Sequence, residues 1–264
     1  DLAMYRAKAQ GRNKYEMFYP AMSEIAVARL SIENELRSAV INKEFQLYYQ
    51  AQINLDTGEI IAAEALLRWN HPQRGLIMPD RFIQVLEETG LIVAVGEWVV
   101  QTACETLVKW REMGLDHLML SVNLSPRQFS DPNLCMMIEQ SISSTGAPAE
   151  RLELEITESM VMEDVECNNQ LIQQLQMMGI SFAIDDFGTG YSSLSYLKIL
   201  PVNTLKIDRA FIKDIPDDEA DMEITAAIVA VAHNLKLKVV AEGIETAEQQ
   251  AFLMQLKCDL GQGY

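Results

Sequence analysis

The chain has 264 residues, of which 49% are hydrophobic and 22% are charged, and 21 Lys and Arg against 38 Asp and Glu give a net charge of −17. This is a globular composition, so wholesale disorder is excluded, and the length fits one large domain or two small ones. The acidity argues against binding of duplex nucleic acid, which depends on Lys and Arg neutralising phosphates.

The first 23 residues differ from the rest. A short helical pattern ends at Gly11, and a predicted strand over Tyr15–Tyr19 is closed by Pro20. Elements this short cannot bury a core alone, so we interpret residues 1–23 as the end of a preceding domain plus a linker, and residues 24–264 as a separate domain.

A repeating order of elements begins at a predicted helix over Ser23–Asn42. Two strands, Phe45–Asn54 and Glu59–Trp69, flank the turn signal Asp56-Thr-Gly-Glu59. Strands then alternate with helices along the rest of the chain. The strands are predicted over Leu118–Asn123, Leu152–Thr157, Ser181–Asp185, Asn203–Asp208, Lys238–Ala241 and from about Cys258. The helices are predicted over Arg81–Glu88, Ile92–Met113, Asn133–Ser144, Val165–Met178, Ala220–Leu235 and Ala247–Leu256. This order predicts an α/β fold, a modified TIM (β/α)8 barrel whose hairpin makes one strand antiparallel.

Cysteine spacing and apolar runs indicate the compartment. The four cysteines form no Cys-x-x-Cys pair, so neither a zinc site nor a disulfide framework is suggested, which favours a reducing cytosol. The longest apolar stretches, Leu91–Val95 and Ala226–Ala232, fall far short of the roughly 18 residues of a membrane span, and no signal peptide is expected. We therefore expect a cytoplasmic domain without membrane contact, while the parent protein could be anchored elsewhere.

Polar residues recur at the carboxyl ends of the predicted strands. Period-two alternation places them on the face opposite the apolar residues, so they would point into the barrel, where barrel enzymes hold their chemistry. The set is Glu64, Asn123, Glu155, Asp185, Lys206, Asp208 and Glu242. Clustered carboxylates need compensation, and carboxylate with amide oxygens suits Mg²⁺ or Mn²⁺; the adjacent pair Asp185-Asp186 could serve two such ions, a recurrent device for phosphoester hydrolysis.

Other interpretations of single residues stay open. Asp, Asn, Ser and Thr at strand-to-helix turns often only cap the next helix. Gly188-Thr-Gly190 is a partial dinucleotide-binding motif that lacks its third glycine. The three histidines, His71, His117 and His233, show no ligand spacing and are interpreted as structural or solvated.

Seven motifs in order make residues 24–264 resemble the EAL-domain family of cyclic di-GMP phosphodiesterases. They are Glu64-Ala65-Leu66, Asn123-Leu-Ser125, Glu155-Ile-Thr-Glu158, Asp185-Asp-Phe-Gly-Thr-Gly190, Leu205-Lys-Ile-Asp208, Ala241-Glu-Gly243 and Gln262-Gly-Tyr264. The first residues resemble the end of a GGDEF (diguanylate cyclase) domain, through Ala3-Met-Tyr-Arg-Ala-Lys8 and Gly11-Arg-Asn13. A GGDEF–EAL parent protein with a sensor domain is therefore expected.

The resemblance implies hydrolysis of cyclic di-GMP to the linear 5′-phosphorylated diguanylate, in a modified barrel with one antiparallel strand that holds two divalent cations, Mg²⁺ or Mn²⁺. It implies a first metal held by Glu64, Asn123, Glu155 and Asp185, with Asp185 bridging and Asp186 helping to hold the second. It implies that Lys206 contacts the nucleophilic water and that Glu242 is the general base or a metal ligand. The remaining implied positions are Gln50, Leu66, Arg68, Asp208 and Gln262 at the substrate, and Glu158 as the anchor of the loop Asp185–Leu197, a segment also used in homodimer contacts.

Departures from the family pattern leave alternatives. Ala51 and Gln84 stand where proline is common, and the family continues through a further strand and helix beyond Tyr264, so we expect further residues there. A catalytically silent cyclic di-GMP receptor is the main alternative, although such members usually lack ligands or the intact Asp-Asp-Phe-Gly loop. An unrelated Mg²⁺-dependent barrel enzyme, such as an enolase-like lyase, is the other.

Overall fold

The structure is a computed structural model that describes residues 20–162, 165–188 and 197–263. The helix predicted before Gly11 and the strand predicted over Tyr15–Tyr19 lie outside these residues. The chain divides into two compact units, one formed by the residues before Leu47 together with Leu67–Val95, the other by Leu47–Leu66 and the chain from Gly96 onward.

The first unit contains helix α1 (Pro20–Asn42), the second half of strand β2 (Ile60–His71), strand β3 (Gly75–Ile77) and helix α2 (Ile83–Thr89). Strand β3 pairs antiparallel with the end of β2. Helix α2 ends at Gly90, whose left-handed φ of 78° is the usual way for a helix to stop at glycine.

An aromatic cluster forms the core of the first unit. Trp69 is 1% exposed and its ring lies 6.3 Å from that of Phe45 and 5.8 Å from that of Phe82, between centroids. Its indole Nε1 donates to Glu44 Oε2 at 3.0 Å, which satisfies the buried donor. His71 packs edge-on against Trp69, and its Nδ1 accepts the backbone N–H groups of the two residues that follow Pro72, so this histidine is structural.

The second unit holds an eight-stranded closed sheet. The strand order is β1-β9-β8-β7-β6-β5-β4-β2, and pairing of β1 with β2 closes the ring. The pairs from β2 through β9 are parallel, whereas β1 runs antiparallel to β9. The strands are β1 (Phe45–Asn54), β2 up to Leu66, β4 (Met119–Asn123), β5 (Leu152–Thr157), β6 (Ser181–Phe187), β7 (Thr204–Ile207), β8 (Lys238–Ile244) and β9 (Leu260–Gly263).

Helices follow the parallel strands, as the barrel prediction requires. They are α3 (Leu91–Glu112), α4 (Pro126–Phe129), α5 (Leu134–Thr145), α6 (Glu158–Met162), α7 (Val165–Met177), α8 (Glu219–Asn234) and α9 (Ala247–Gln255). The predicted barrel with one antiparallel strand is confirmed. The short elements β3, α4 and α6 are absent from the prediction, and β9 begins two residues after Cys258.

Helix α3 is the one helix in the described ranges that is long and apolar enough to cross a membrane, with a mean hydropathy of 1.4 over its best window. Half of that window is buried inside the protein. Val99, Val100, Ala103 and Leu107 account for much of this buried face. This is the pattern of a helix covering a barrel wall, so length and composition alone give it no membrane role.

Candidate active site

Lys206 lies at the centre of a ring of carboxylates inside the barrel. Strand β7 is buried throughout, and Lys206 is 1% exposed. Its Nζ lies 2.7 Å from Glu155 Oε2, 2.7 Å from Glu242 Oε1, 3.3 Å from Asp185 Oδ1 and 3.4 Å from Glu64 Oε2. These four acids lie on β5, β8, β6 and β2. Inward-facing side chains from four strands therefore surround the ammonium group that a fifth strand, β7, supplies.

The charge on Lys206 is sustained by that ring. Burial disfavours the ammonium form, but the surrounding carboxylates outweigh it and hold the pKa of Lys206 well above its ordinary value. Lys206 is therefore protonated at neutral pH and acts as a fixed positive charge and hydrogen-bond donor.

Glu64 is held by a row of side-chain amides. Its Oε1 accepts from Asn123 Nδ2 at 2.7 Å, and its Oε2 accepts from Gln262 Nε2 at 2.6 Å. Gln262 Nε2 also donates to Gln50 Oε1 at 3.1 Å, and Gln262 Oε1 accepts from Gln52 Nε2 at 3.0 Å. The row fixes the rotamer of Glu64 from both sides. Gln52 is 1% exposed and is absent from the predicted site, although it shares a strand face with Gln50.

The carboxylates around Lys206 differ in electrostatics. Burial raises the pKa of Glu64, but Lys206 and the amide hydrogen bonds lower it more, so the net shift is downward. Burial raises the pKa of Glu155 well above its ordinary value; the charge of Lys206 opposes this shift, and repulsion from Glu64 and Asp185 adds to it. Burial likewise raises the pKa of Glu242 to about 7, opposed by Lys206. The cluster carries more negative charge than one lysine compensates.

The end of strand β6 turns sharply between its two aspartates. Asp186 has a left-handed φ of 54°, and its backbone N–H donates to Asp185 Oδ1 at 2.9 Å. The pairing of β6 with β7 shifts register between Ile184 and Phe187. Burial, the charge of Asp185 and a hydrogen bond with Asp208 raise the pKa of Asp186 to about 6. The turn therefore brings Asp186 beside Asp208 while Asp185 faces Lys206.

Asp208 has a second contact that the capping interpretation anticipated. Its Oδ1 accepts from Ala210 N at 2.7 Å and so caps the short 3₁₀ turn Arg209–Phe211. Asp208 thus serves local structure and also faces Asp186.

Glu158, at the start of α6, is 6% exposed and contacts the chain after β6. Its Oε2 accepts from Gly188 N at 3.4 Å. Gly188 has a φ of 96°, and a Cβ there would lie 2.9 Å from Phe211 Cε2, so glycine is required. The predicted anchoring loop continues over 189–196, outside the described residues. The contact at Gly188 is consistent with the anchoring role, which stays a prediction.

Two predicted substrate positions lie further along β2. Leu66 is half-buried, two residues after Glu64. Arg68 is also half-buried and belongs to the first unit, where its Nη1 donates to Leu67 O at 2.9 Å. Their predicted substrate contacts stay predictions.

The donor set fits a hard divalent cation. Glu64, Glu155 and Asp185 supply carboxylate oxygens, Asn123 supplies an amide oxygen, and these are the ligands that Mg²⁺ and Mn²⁺ prefer. Within the described ranges, no three His, Cys, Asp or Glu side chains already form a metal-binding group, and Lys206 Nζ contacts both Glu155 and Asp185. Glu155 Oε1 is buried with no hydrogen-bond partner among the described residues, so its lone pairs are available to coordinate a cation.

The family model of the EAL domain matches residues 33–264. The chain belongs to the EAL-domain family. Over its whole length the chain with this EAL domain is 44% identical to the bifunctional diguanylate cyclase/cyclic di-GMP phosphodiesterase MucR of Pseudomonas aeruginosa, of which it spans 38%. It is 39% identical, again over its whole length, to the cyclic di-GMP phosphodiesterase PdeR of Escherichia coli, of which it spans 40%.

Solved structures show the same fold as this EAL domain. A complex of the PaMucR phosphodiesterase with c-di-GMP superposes with a TM-score of 0.86 at 44% identity, over 88% of this chain and 94% of that chain. The EAL enzyme Bd1971 bound to cAMP and cyclic di-GMP gives a TM-score of 0.86 at 33% identity, over 99% of this chain and 69% of that chain. The EAL domain spans well under half the length of the curated relatives named above.

Proposed function

We propose that this EAL domain is a metal-dependent phosphodiesterase that hydrolyses cyclic di-GMP to the linear 5′-phosphorylated diguanylate. The observation that carries the proposal is the ring of Glu64, Glu155, Asp185 and Glu242 around Lys206 at the carboxyl ends of the barrel strands. The likeness to MucR, which is named a cyclic di-GMP phosphodiesterase, supplies the substrate. The fold alone would not, because the same barrel hosts many reactions.

Two divalent cations, Mg²⁺ or Mn²⁺, complete the proposal. Glu64, Asn123, Glu155 and Asp185 would hold the first ion, Asp185 would bridge, and Asp186 would help to hold the second. When bound, such ions lower the pKa of a coordinated water and neutralise charge on phosphoryl oxygens. The excess negative charge of the ring supports this assignment, as does Glu155 Oε1, which has no hydrogen-bond partner within the part of the chain that the structure describes.

The chain's own residues have separable roles. Lys206 donates from a fixed position, so it stabilises negative charge that develops on the attacked phosphoryl group. Glu242, whose Oε1 lies 2.7 Å from Lys206 Nζ, is the proposed general base for the attacking water. Gln262 and Gln50 keep Glu64 in one rotamer, which preorganises the site.

The parent protein is proposed to be a signalling protein of several domains. MucR is bifunctional and more than twice the length of this chain, which supports a GGDEF domain upstream. A cytoplasmic location and a homodimer complete this proposal. A catalytically silent receptor is not favoured, because every implied metal and catalytic position is filled by the expected residue.

Product analysis tests the activity. Mixing the protein with cyclic di-GMP and Mn²⁺ or Mg²⁺ is expected to give the linear dinucleotide, and EDTA is expected to abolish it. Asp185→Asn and Glu64→Ala are expected to remove turnover while the far-UV circular dichroism is retained. Asp217→Asn, at an exposed acid of the β7–α8 connection, is the matched control and is expected to keep full activity. If the protein binds cyclic di-GMP at saturating metal but forms no product, the proposal of an enzyme is wrong and the receptor function takes its place.

Thermal denaturation tests metal binding without activity. Mn²⁺ at about 100 times its dissociation constant is expected to stabilise the unchanged protein by about 2.7 kcal/mol. Asp185→Asn is expected to lose most of that stabilisation and Asp217→Asn to retain it. Equal stabilisation in both variants would place the metal elsewhere.

A further inference from the structure

Two short connections follow the strands that hold Lys206 and Glu242, the ammonium group and the proposed base of the site. Strand β7, with Lys206, leads into Asp208 and the turn Arg209–Phe211. Strand β8, with Glu242, leads through Gly243 to Glu245. The relative placement of Lys206 and Glu242 depends on how these two connections are held.

The β8 connection contains an irregular step directly after Glu242. The pairing of β8 with β9 shifts register between Glu242 and Ile244, and Gly243 has a left-handed φ of 70°. This combination is a β-bulge with glycine at the strained position, a device that re-aims the neighbouring side chain. The direction of the Glu242 side chain therefore depends on the contacts that hold this bulge in place.

Gln249, in the first turn of helix α9, joins the two connections. It is 3% exposed, and all four of its side-chain hydrogen bonds go to the main chain. Its Oε1 accepts from Glu245 N at 2.7 Å and from Thr246 N at 3.0 Å. Its Nε2 donates to Ile212 O at 3.1 Å and to Lys213 O at 3.2 Å.

A second contact ties the same two connections. The side chain of Arg209 packs directly against Gly243, and a Cβ on that glycine would collide with Arg209 Cγ. Arg209 Nη2 then pairs with Glu245 Oε1 at 2.8 Å. This pair is more than half exposed at Arg209, so its own energy is small, and the buried Gln249 is the stronger link.

We infer that Gln249 is a positioning residue of the active site, which fixes the β7 connection to the β8 connection and thereby sets Glu242 relative to Lys206. The inference rests on the phosphodiesterase activity proposed above. Its structural part, the coupling of the two connections, stands on the four hydrogen bonds alone.

Two substitutions separate this role from ordinary helix capping. Thr246 and Gln249 form a capping box at the start of α9, in which Gln249 N also donates to Thr246 Oγ1 at 3.2 Å. Gln249→Glu keeps both capping-box acceptors, since glutamate is as good as glutamine there, but it replaces the Nε2 donor with an oxygen facing two carbonyls. Thr246→Ala is the matched control, because it weakens the cap and leaves the Gln249 bridge to Ile212 and Lys213 intact.

The experiment measures turnover and amide hydrogen exchange in the same three proteins. Gln249→Glu is expected to lower kcat roughly 10- to 100-fold, since small misplacements of reacting groups cost that much, with KM nearly unchanged. Amides of Phe211–Lys213 and Gly243–Glu245 are expected to exchange faster in this variant. Thr246→Ala is expected to keep kcat and to leave exchange in those two segments as in the unchanged protein.

The outcomes are distinguishable. No turnover in the unchanged protein would refute the proposed function, whereas unchanged kcat in Gln249→Glu beside an active unchanged protein would refute the positioning role alone. Equal losses in Gln249→Glu and Thr246→Ala would also refute it, because capping would then explain the effect. Arg209→Ala, at an exposed side chain, is the second variant should Gln249→Glu fold poorly, and a smaller fall in kcat without a change in KM is expected for it.

Discussion

Replacing Lys206 by methionine should destabilise the protein as well as inactivate it. The side chains have similar length, so the substitution removes charge and hydrogen bonding with little change in volume. Two carboxylates lose a partner at 2.7 Å, Glu155 and Glu242, while Glu64 keeps its bonds from Asn123 and Gln262.

The magnitude follows from burial. Glu155 is 0% exposed and its Oε1 already has no hydrogen-bond partner among the described residues, so without Lys206 its other oxygen is orphaned too. Removing one partner of a buried ion pair costs about 3–5 kcal/mol. For a domain of this size that corresponds to a fall in Tm of roughly 6–20 °C. Apolar burial of the methionine offsets only part of this, because it supplies no hydrogen-bond donor to the buried carboxyl group of Glu155.

The assay is thermal or urea denaturation in EDTA, so that no added cation replaces the lysine. Lys238→Met is the matched control, since Lys238 is an exposed lysine at the start of neighbouring strand β8. The control is expected to unfold close to the unchanged protein. If Lys206→Met and Lys238→Met unfold at the same temperature, the ring does not depend on Lys206 and the electrostatic argument is wrong.

Two further predictions concern packing and thiol chemistry. Gly96→Ala should destabilise the protein by about 1–3 kcal/mol, because the added Cβ would collide with the side-chain amide of Gln128. Alanine normally favours a helix over glycine, so a raised Tm would contradict this prediction. Burial raises the pKa of Cys104 to about 11 and that of Cys258 to about 12, so neither carries much thiolate at pH 8. A thiol reagent at that pH is therefore expected to label the exposed Cys167 first and the two buried cysteines only after denaturation, and raising the pH should speed labelling; early labelling of Cys258 would contradict the structure.

Alternation and order were enough to predict the barrel and most of the ring. Glu64, Glu155 and Lys206 each lie on a regular strand segment, so counting by two places them inward, and the strand order then brings them together. The hairpin at Asp56 correctly predicted the antiparallel β1, since a tight turn cannot join parallel strands.

Period-two alternation does not predict the positions of residues where the backbone is irregular. Alternation places Asp186 on the face opposite Asp185, but its positive φ and the register shift in β6 bring it beside Asp208. The three-residue strand β3 is too short to show any period. Gln249 is visible in the sequence only as part of a capping pattern, because its bonds to Ile212 and Lys213 join residues more than thirty-five positions away.

Strand β5 shows why an inward carboxylate is not in itself a functional one. The sequence Leu-Glu-Leu-Glu places Glu153 and Glu155 on the same inner face, and both are buried. Glu153 accepts hydroxyl hydrogen bonds from Ser121 at 2.9 Å and from Thr204 at 2.8 Å, whereas Glu155 meets an ammonium and leaves one oxygen unpartnered among the described residues.

The difference comes from the neighbours at each level of the barrel. Ser121 and Thr204 lie one inward position before Asn123 and Lys206 on their strands. At this lower level of the barrel, the oxygens of Glu153 are therefore satisfied by neutral hydroxyl donors. The upper level has excess negative charge and, among the residues that the structure describes, one acceptor without a donor, a combination that favours the binding of a cation. Glu153→Gln should therefore leave the metal-induced rise in Tm intact, while Glu155→Gln should abolish it, and loss of the rise in both would show that the two levels are not independent.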